Sequence, residues 1–252
     1  MKILDLFSGI GGFSLGLERA GMKTVAMCEI DPYCRRVLAK HWLEVPIYDD
    51  VRTLTAERLA SDGISVDLIC GGFPCQDISY AGKGAGLSGD RSGLWCEFAR
   101  IIGEVAPRYV IVENVAALLG RGLGNILGDL AALGYDAEWH CIPASAVGAP
   151  HRRDRIWIIA YSTSYGCEGI QRKIEEQISE NRAFKTLDAW HDFGRSFEFW
   201  REQLAEPYVM RMADGISSTL DIRPRLRAYG NAVIPQIPEM IGRAIMEAEG
   251  LA

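Results

Sequence analysis

The sequence contains no apolar run approaching the roughly 20 residues that a membrane-spanning helix needs, so no membrane partner is expected. Its N-terminal apolar stretch follows Lys2 but is broken at Asp5 and runs into a glycine turn, so no secretory leader is expected either. Among its seven cysteines no C-x-x-C pair occurs, and the number is odd. That argues against a disulfide framework and against a zinc cluster, so no metal is expected. Free thiols fit a reducing cytoplasm, where a reactive cysteine stays usable. Positive charge is not in excess either: the formal net charge is −6. The total therefore advertises no nucleic-acid partner, although a local basic face suffices to bind DNA.

What is present is an α/β rhythm. The chain has 252 residues, 48% of them hydrophobic, enough for one sizeable α/β domain and a small second lobe. Residues 2–7 read as a first strand, Ser8-Gly9-Ile10-Gly11-Gly12 as a glycine turn, and the following residues as a helix ending near Gly21. Strand, glycine turn and helix open a nucleotide-binding βαβ unit. Residues 24–28 read as a second strand, and Glu29 stands at its end, about 20 residues past the turn, where an acid accepts from ribose hydroxyls. The glycine spacing is G-x-G-G, and no lysine or arginine sits in the turn, which points to a nucleoside cofactor rather than a dinucleotide. Asp31-Pro32 predicts the start of the next helix. Residues 45–48 form a short third strand ending in Asp49-Asp50, carboxylates placed either to accept from an adenine amine or to cap the turn.

The next strand, residues 66–70, leads into Gly71-Gly72-Phe73-Pro74-Cys75-Gln76. Two glycines let the backbone turn, and proline fixes φ just before the cysteine. A thiol at the carboxyl edge of an open α/β sheet is a candidate nucleophile; the alternative is an inert, buried cysteine. Residues 79–93 are glycine-dense and carry Lys83 and Arg91, which fits either a lid over an anionic polymer or a surface loop. A helix over 94–105 precedes a fifth strand, 108–112, that ends in Glu113-Asn114. A carboxyl group beside a cysteine suits covalent chemistry in which one group attacks and the other handles a proton.

A helix over 125–133 and strands over 135–142 and 156–160 complete the rhythm. His151-Arg152-Arg153-Asp154-Arg155 precedes the last strand; its arginines could hold a base edge or phosphates, or pair with Asp154 on the surface. Residues 162–222 lose the βα rhythm and read as an inserted lobe, with a charged helix over 171–181. Its aromatic stretch (Trp190, Phe193, Phe197, Phe199, Trp200) reads either as a mini-core or as a base-stacking platform. The basic run Arg223-Pro224-Arg225-Leu226-Arg227, the block Tyr229 to Pro235 and a helix over 238–249 return the chain to the main sheet.

Taken together, and in this order, Asp5-Leu6-Phe7-Ser8-Gly9-Ile10-Gly11-Gly12, Glu29, Asp50, Gly72-Phe73-Pro74-Cys75-Gln76, Glu113-Asn114-Val115, Arg153-Asp154-Arg155 and Gly230-Asn231-Ala232-Val233 resemble the C5-cytosine DNA methyltransferase family. The resemblance covers residues 1–161 and about 223–245. It implies an α/β fold of the S-adenosylmethionine-dependent methyltransferase (Rossmann-like) type: a seven-stranded, mostly parallel sheet with its last strand antiparallel, helices on both faces, and a small target-recognition lobe. It divides the chain into a catalytic and cofactor-binding domain, 1–161 plus 223–252, and a lobe, 162–222.

By the same resemblance Cys75 is the nucleophile that adds to C6 of a flipped-out cytosine, and Glu113 engages N3 and the exocyclic amine. Arg153 and Arg155 hold the base and the active-site loop. Phe7, Gly9, Ile10, Gly11, Glu29, Asp50, Pro74, Asn231, Ala232 and Val233 line the site of S-adenosyl-L-methionine, whose product is S-adenosyl-L-homocysteine. Ser79, Lys83 and Arg91 are expected to contact double-stranded DNA, with restriction-modification as the setting. Three features depart from the family pattern: His151 stands where a block begins with glutamine, the block before Gly230-Asn231 is reduced to about 221–225, and the lobe is short. A monomer is expected, with a dimer or partner subunit as the alternative because of that lobe. Cytosine in RNA is a second substrate reading, disfavoured by Gln76 after the Pro-Cys pair. A nicotinamide oxidoreductase lacks the third glycine it needs. A non-catalytic DNA-binding relic is opposed by the full set of reactive side chains.

Overall fold

The computed structural model describes residues 1–74, 93–149, 153–164 and 231–251, together with single positions 173, 176 and 228. The expectations for Cys75, Ser79, Lys83, Arg91, His151 and nearly all of the 162–222 lobe lie outside those residues. The chain builds one seven-stranded sheet. Its strands are β1 (Lys2–Leu6), β2 (Lys23–Cys28), β3 (Ile47–Tyr48), β4 (Leu68–Gly71), β5 (Tyr109–Val115), β6 (Tyr135–Pro143) and β7 (Asp154–Ser162), in the spatial order β3-β2-β1-β4-β5-β7-β6. The first five pair in parallel, and β7 runs antiparallel between β5 and β6. The expected fold class, with its last strand antiparallel, is what forms.

Side chains alternate between the two faces of a strand, and both faces are covered. Leu4, Ile69, Val110 and Ile158 enter one core, beneath α3 (Ala56–Ser61), α4 (Leu94–Val105) and α6 (Leu123–Ala132). Ile3, Leu68, Ile111 and Ile159 enter the other, beneath α1 (Gly12–Arg19) and the last helix, α7 (Gln236–Ala248). Fully buried strands read as continuous apolar runs, which is why β1, β4, β5 and β7 were legible. Helix α2 (Pro32–His41) starts as expected: Asp31 accepts from the N–H groups of Tyr33 and Cys34, with Pro32 in the first turn.

Helix α7 lies directly on α1. A Cβ at Gly16 would sit 2.2 Å from the Pro235 carbonyl oxygen, so only glycine permits that approach. The contact brings the C-terminal segment back to the first glycine turn.

Several boundaries differ from the sequence reading. β5 runs through Glu113 and Asn114 to Val115 instead of ending before them, because β7 pairs with it along that whole length. β7 starts at Asp154 and ends at Ser162 for the same reason, held by β6 on its other side. The six-residue α3 and the four-residue α5 (Leu118–Arg121) have no sequence-level counterpart, being too short for an apolar period to show.

Candidate active site

Strand order reverses between β1 and β4, and ligands of open α/β sheets bind at such a switch point, outside the carboxyl ends of the strands. Here β1 ends in the glycine turn, and β4 ends in the Gly72-Phe73-Pro74 segment that leads to Cys75.

The turn is shaped by backbone conformation. Phe7, Gly9 and Gly11 have φ values of 54°, 55° and 90°. Positive φ at a phenylalanine is a strained state that persists where surrounding bonds fix it. The Ser8 hydroxyl donates to the Asp5 carbonyl at 2.7 Å, and the Ser8 N–H donates to the Cys28 carbonyl at 3.1 Å. Glu29 closes the structure: its carboxylate accepts from the N–H of Gly9 and the N–H of Asp31, each at 2.7 Å. Burial raises the Glu29 pKa, and those two N–H donors oppose the rise. Each oxygen keeps a second lone pair for an incoming hydroxyl.

Asp50, at the end of the third strand, caps the turn Val51–Thr53 and is gripped by Arg52, whose Nε and Nη2 reach its carboxylate at 2.9 and 2.7 Å. Of the two sequence readings of Asp50, the cap on the turn is what the fold shows. The C-terminal block reaches this region as well. A Cβ at Gly12 would meet the Val233 carbonyl oxygen at 2.4 Å, and Ala232 packs with Ile10, Cys34 and Ala228. Asn231 is exposed beside them, and Pro74 is exposed at the other side of the switch point.

The second half of the site lies on β5 and β7. Glu113 sits diagonally across the ladder from Arg155, and the Arg155 Nε approaches its Oε1 at 2.9 Å. Burial raises the Glu113 pKa, while the charges of Arg155 and Arg153 pull it down. Gly72, just past β4, faces this carboxyl: a Cβ there would lie 2.8 Å from Glu113 Oε2. Arg153 goes elsewhere. Its Nη2 donates to the Ala232 carbonyl at 2.8 Å, and its φ is 33°. It thus ties the start of β7 to the C-terminal block and stands next to Glu113 as a charge.

Three nearby features carried no sequence-level role. Ile30, immediately after Glu29, is 63% exposed and offers an apolar face beside the turn. The Trp42 ring covers Gly11, within 2.5 Å of where a Cβ would be, and its Nε1 donates to Glu18 at 2.9 Å. Asp5 is fully buried beneath the turn, where its Oδ2 accepts from the Ser14 hydroxyl at 2.7 Å. An exposed isoleucine at a strand end and a charge inside an apolar strand were the available signals.

The profile of the C-5 cytosine-specific DNA methylase family matches residues 1–200. The chain belongs to this family. It is 36% identical over 168 residues to a type II methyltransferase of Bacillus subtilis, M2.BsuMI, covering 64% of this chain and 42% of that protein. It is 36% identical over 264 aligned positions to M.NgoBI of Neisseria gonorrhoeae, covering 99% of this chain and 82% of that protein. Two further relatives are matched over less than half their length, 46% for M.DsaV of Dactylococcopsis salina and 39% for M.Eco47II of Escherichia coli. Among solved structures, a prophage-encoded E. coli protein described as a DNA modification methyltransferase superposes with a TM-score of 0.56 at 30% identity, covering 66% of this chain and 47% of that one. DNMT2 of Spodoptera frugiperda shares the fold, with a TM-score of 0.55 at 23% identity over 66% of this chain and 51% of that one.

Proposed function

We propose that this chain is a DNA (cytosine-5-)-methyltransferase, acting on a flipped-out cytosine in double-stranded DNA through a covalent Cys75 adduct. The observation that carries the reading is the meeting of two half-sites at one sheet edge: the Glu29-braced glycine turn and the buried Glu113–Arg155 pair. Family membership supports it, since the matching relatives are type II methyltransferases.

The residues fit a nucleoside cofactor. Glu29 presents its free lone pairs to ribose hydroxyls and Ile30 offers an apolar surface to a base; Phe7, Gly9, Ile10, Gly11, Pro74, Asn231, Ala232 and Val233 are the residues assigned to line the cofactor. Asp50 accepts from an adenine amine. S-adenosyl-L-methionine, when bound, supplies an electrophilic methyl group and leaves as S-adenosyl-L-homocysteine.

The chemistry asked of the protein follows from the substrate. C5 of cytosine is a poor nucleophile. Addition of the Cys75 thiolate to C6 forms an S–C bond and turns the ring into an enamine with electron density at C5. Glu113, buried and raised in pKa, hydrogen-bonds N3 and stabilises the charge that addition creates. Arg155 keeps that carboxyl oriented and offers remaining donors to the base. Once C5 carries the methyl group, its proton passes to solvent acting as base, the C5–H electrons re-form the C5=C6 bond, the S–C6 bond breaks and Cys75 departs as thiolate, restoring the aromatic ring. A stacked base cannot reach this edge, so the cytosine is flipped out, at about a few kcal/mol. Lys83 and Arg91, with Ser79, hold the opened duplex by its phosphates, and residues 162–222 serve as the recognition lobe.

No metal-binding cluster occurs among the described residues, and no described helix is long and apolar enough to cross a membrane. The reading places the protein in the cytoplasm. Incubation with unmethylated plasmid DNA and S-adenosyl-L-methionine, followed by base-resolution mapping of 5-methylcytosine, tests it. Methylation at a fixed short sequence, absent with Cys75→Ser, is the expected result. Methylation of RNA in preference to DNA, or none with either while the cofactor binds, overturns it.

A further inference from the structure

Asn114 is 3% exposed, and both ends of its amide are used by backbone. Its Oδ1 accepts from the N–H of Val115 at 2.8 Å. Its Nδ2 donates to the carbonyl oxygen of Phe73 at 3.0 Å, a bond that spans 41 residues of sequence and joins two strand ends. The regular β4–β5 ladder stops at the Gly71–Val112 pair. Three residues later the chain enters Pro74, whose nitrogen has no hydrogen to donate. At that point the Asn114 amide continues, by side chain, the cross-strand bonding that the backbone ladder has given up. The Phe73 side chain is fixed at the same place: it is 3% exposed, and its ring packs on Trp95 at 5.3 Å.

Successive strand residues point to opposite faces, so Glu113 and Asn114 leave β5 in different directions. Glu113 turns to Arg155 at 2.9 Å, and Asn114 turns to Phe73. Gly72 lies between these two engagements, close enough that a Cβ would meet Glu113 Oε2 at 2.8 Å. The same dipeptide therefore carries the base-binding carboxyl and grips the chain two residues before the nucleophile. We propose that Asn114 is a positioning residue, which sets the direction in which the chain enters Pro74-Cys75 relative to the Glu113 carboxyl. The inference rests on the methyl-transfer reading for what Cys75 does; the lock itself is independent of the substrate.

The Asn114→Asp variant tests it, because it keeps shape and keeps the acceptor for Val115 while replacing the donor to Phe73. At pH 8 an ionised carboxylate would face the Phe73 carbonyl, acceptor against acceptor. Single-turnover methylation is expected to fall about 100-fold, the scale of a displacement of about 1 Å at a reacting group. Covalent trapping on DNA containing 5-fluorocytosine, from which no C5 proton can be lost, falls with it. Affinity for S-adenosyl-L-homocysteine stays near wild type, and the melting midpoint, lowered at pH 8 by the buried carboxylate, recovers toward pH 6. Toward pH 6 the buried carboxyl takes up a proton and becomes a donor again, so the variant recovers relative to wild type. Asn114→Ala shows the same loss with no recovery at low pH.

Full trapping and methylation rates in both variants overturn the proposal. So does a rate loss that tracks an equal loss of melting midpoint and cofactor affinity, without acid recovery, because that marks a purely structural residue. If the wild type transfers no methyl group to DNA, the functional reading fails. The lock is then read by iodoacetamide labelling of Cys75, with exposed Cys141 as internal reference in peptide mass mapping. A Cys75 to Cys141 ratio changed by Asn114→Asp at pH 8 and restored toward pH 6 sustains it; an unchanged ratio overturns it.

Discussion

Arg155 and Glu113 form an ion pair across the antiparallel β5–β7 ladder, with Nε 2.9 Å from Oε1 and both side chains largely out of water. Residues two registers apart share a face of the sheet, which is what lets them meet. The pairing holds one oxygen of the carboxyl in place while leaving the other near Gly72. Removing the guanidinium leaves a buried carboxyl with less to oppose its upward pKa shift. Arg155→Lys keeps the charge but loses the planar donor fork. We expect the rate of methyl transfer to fall by about 10- to 100-fold in Arg155→Lys and by about 1,000-fold in Arg155→Ala, on the scale of a lost electrostatic stabiliser. Single-turnover kinetics with saturating cofactor measure both.

Gly72→Ala attacks the other oxygen. The added Cβ displaces Glu113 Oε2, the far end of a side chain, so the fold tolerates the change. The displacement disturbs the Arg155 pair, so the expected result is a loss of about 10- to 100-fold in rate with a melting midpoint close to wild type. Gly120→Ala, with nothing within 4 Å of the new Cβ, is the neutral control. Thermal melts beside kinetics on both variants check the contrast.

Glu29→Gln leaves shape and removes charge. Two backbone N–H groups, from Gly9 and Asp31, now bond separate carboxylate oxygens. An amide offers one oxygen, so one of those donors faces an NH2 group instead. A hydrogen bond to a charged group contributes about 1.5–3 kcal/mol, which corresponds to roughly 10- to 100-fold weaker cofactor binding. Calorimetric titration with S-adenosyl-L-homocysteine reads it, and an affinity equal to wild type would refute the role assigned to this carboxylate.

Asp5 gives the protein a pH-dependent stability. Complete burial pushes its carboxyl up to about 7 from 3.8, against the bonds from Ser14 that favour the charged form. The folded protein therefore holds a proton that the unfolded chain releases near pH 4. The associated stability is fully present below about pH 4 and is lost as pH rises through about 7. Urea unfolding across pH 4–9 should show this decline, on the order of a few kcal/mol. Asp5→Asn mimics the protonated group and flattens the slope, leaving the share that comes from Glu29 and Glu113, whose pKa values burial also raises.

The sequence by itself determined the order of the sheet-forming segments, the glycine turn, the acid at the end of β2 and the acid on β5. Each rests on local physics: buried strands are apolar along their length, a tight turn needs positive φ, and spacing in a βαβ unit fixes where the next strand ends. It also carried the family, through motifs in a fixed order. Tertiary structure decided what those residues do to one another. Arg153 reads in sequence as a partner of the base, and the fold also gives it the Ala232 carbonyl, because the C-terminal helix folds back on α1 through glycine contacts made by residues more than 200 positions apart. Asn114 looks like a neighbour of the reactive acid and is spent on the Phe73 backbone, because the parallel ladder stops one strand away. Asp5 reads as a break in an apolar run and lies fully buried under the turn, its charge opposed by that burial. Non-local pairing has no signature in composition or period: it exists only once strands far apart in the chain are side by side.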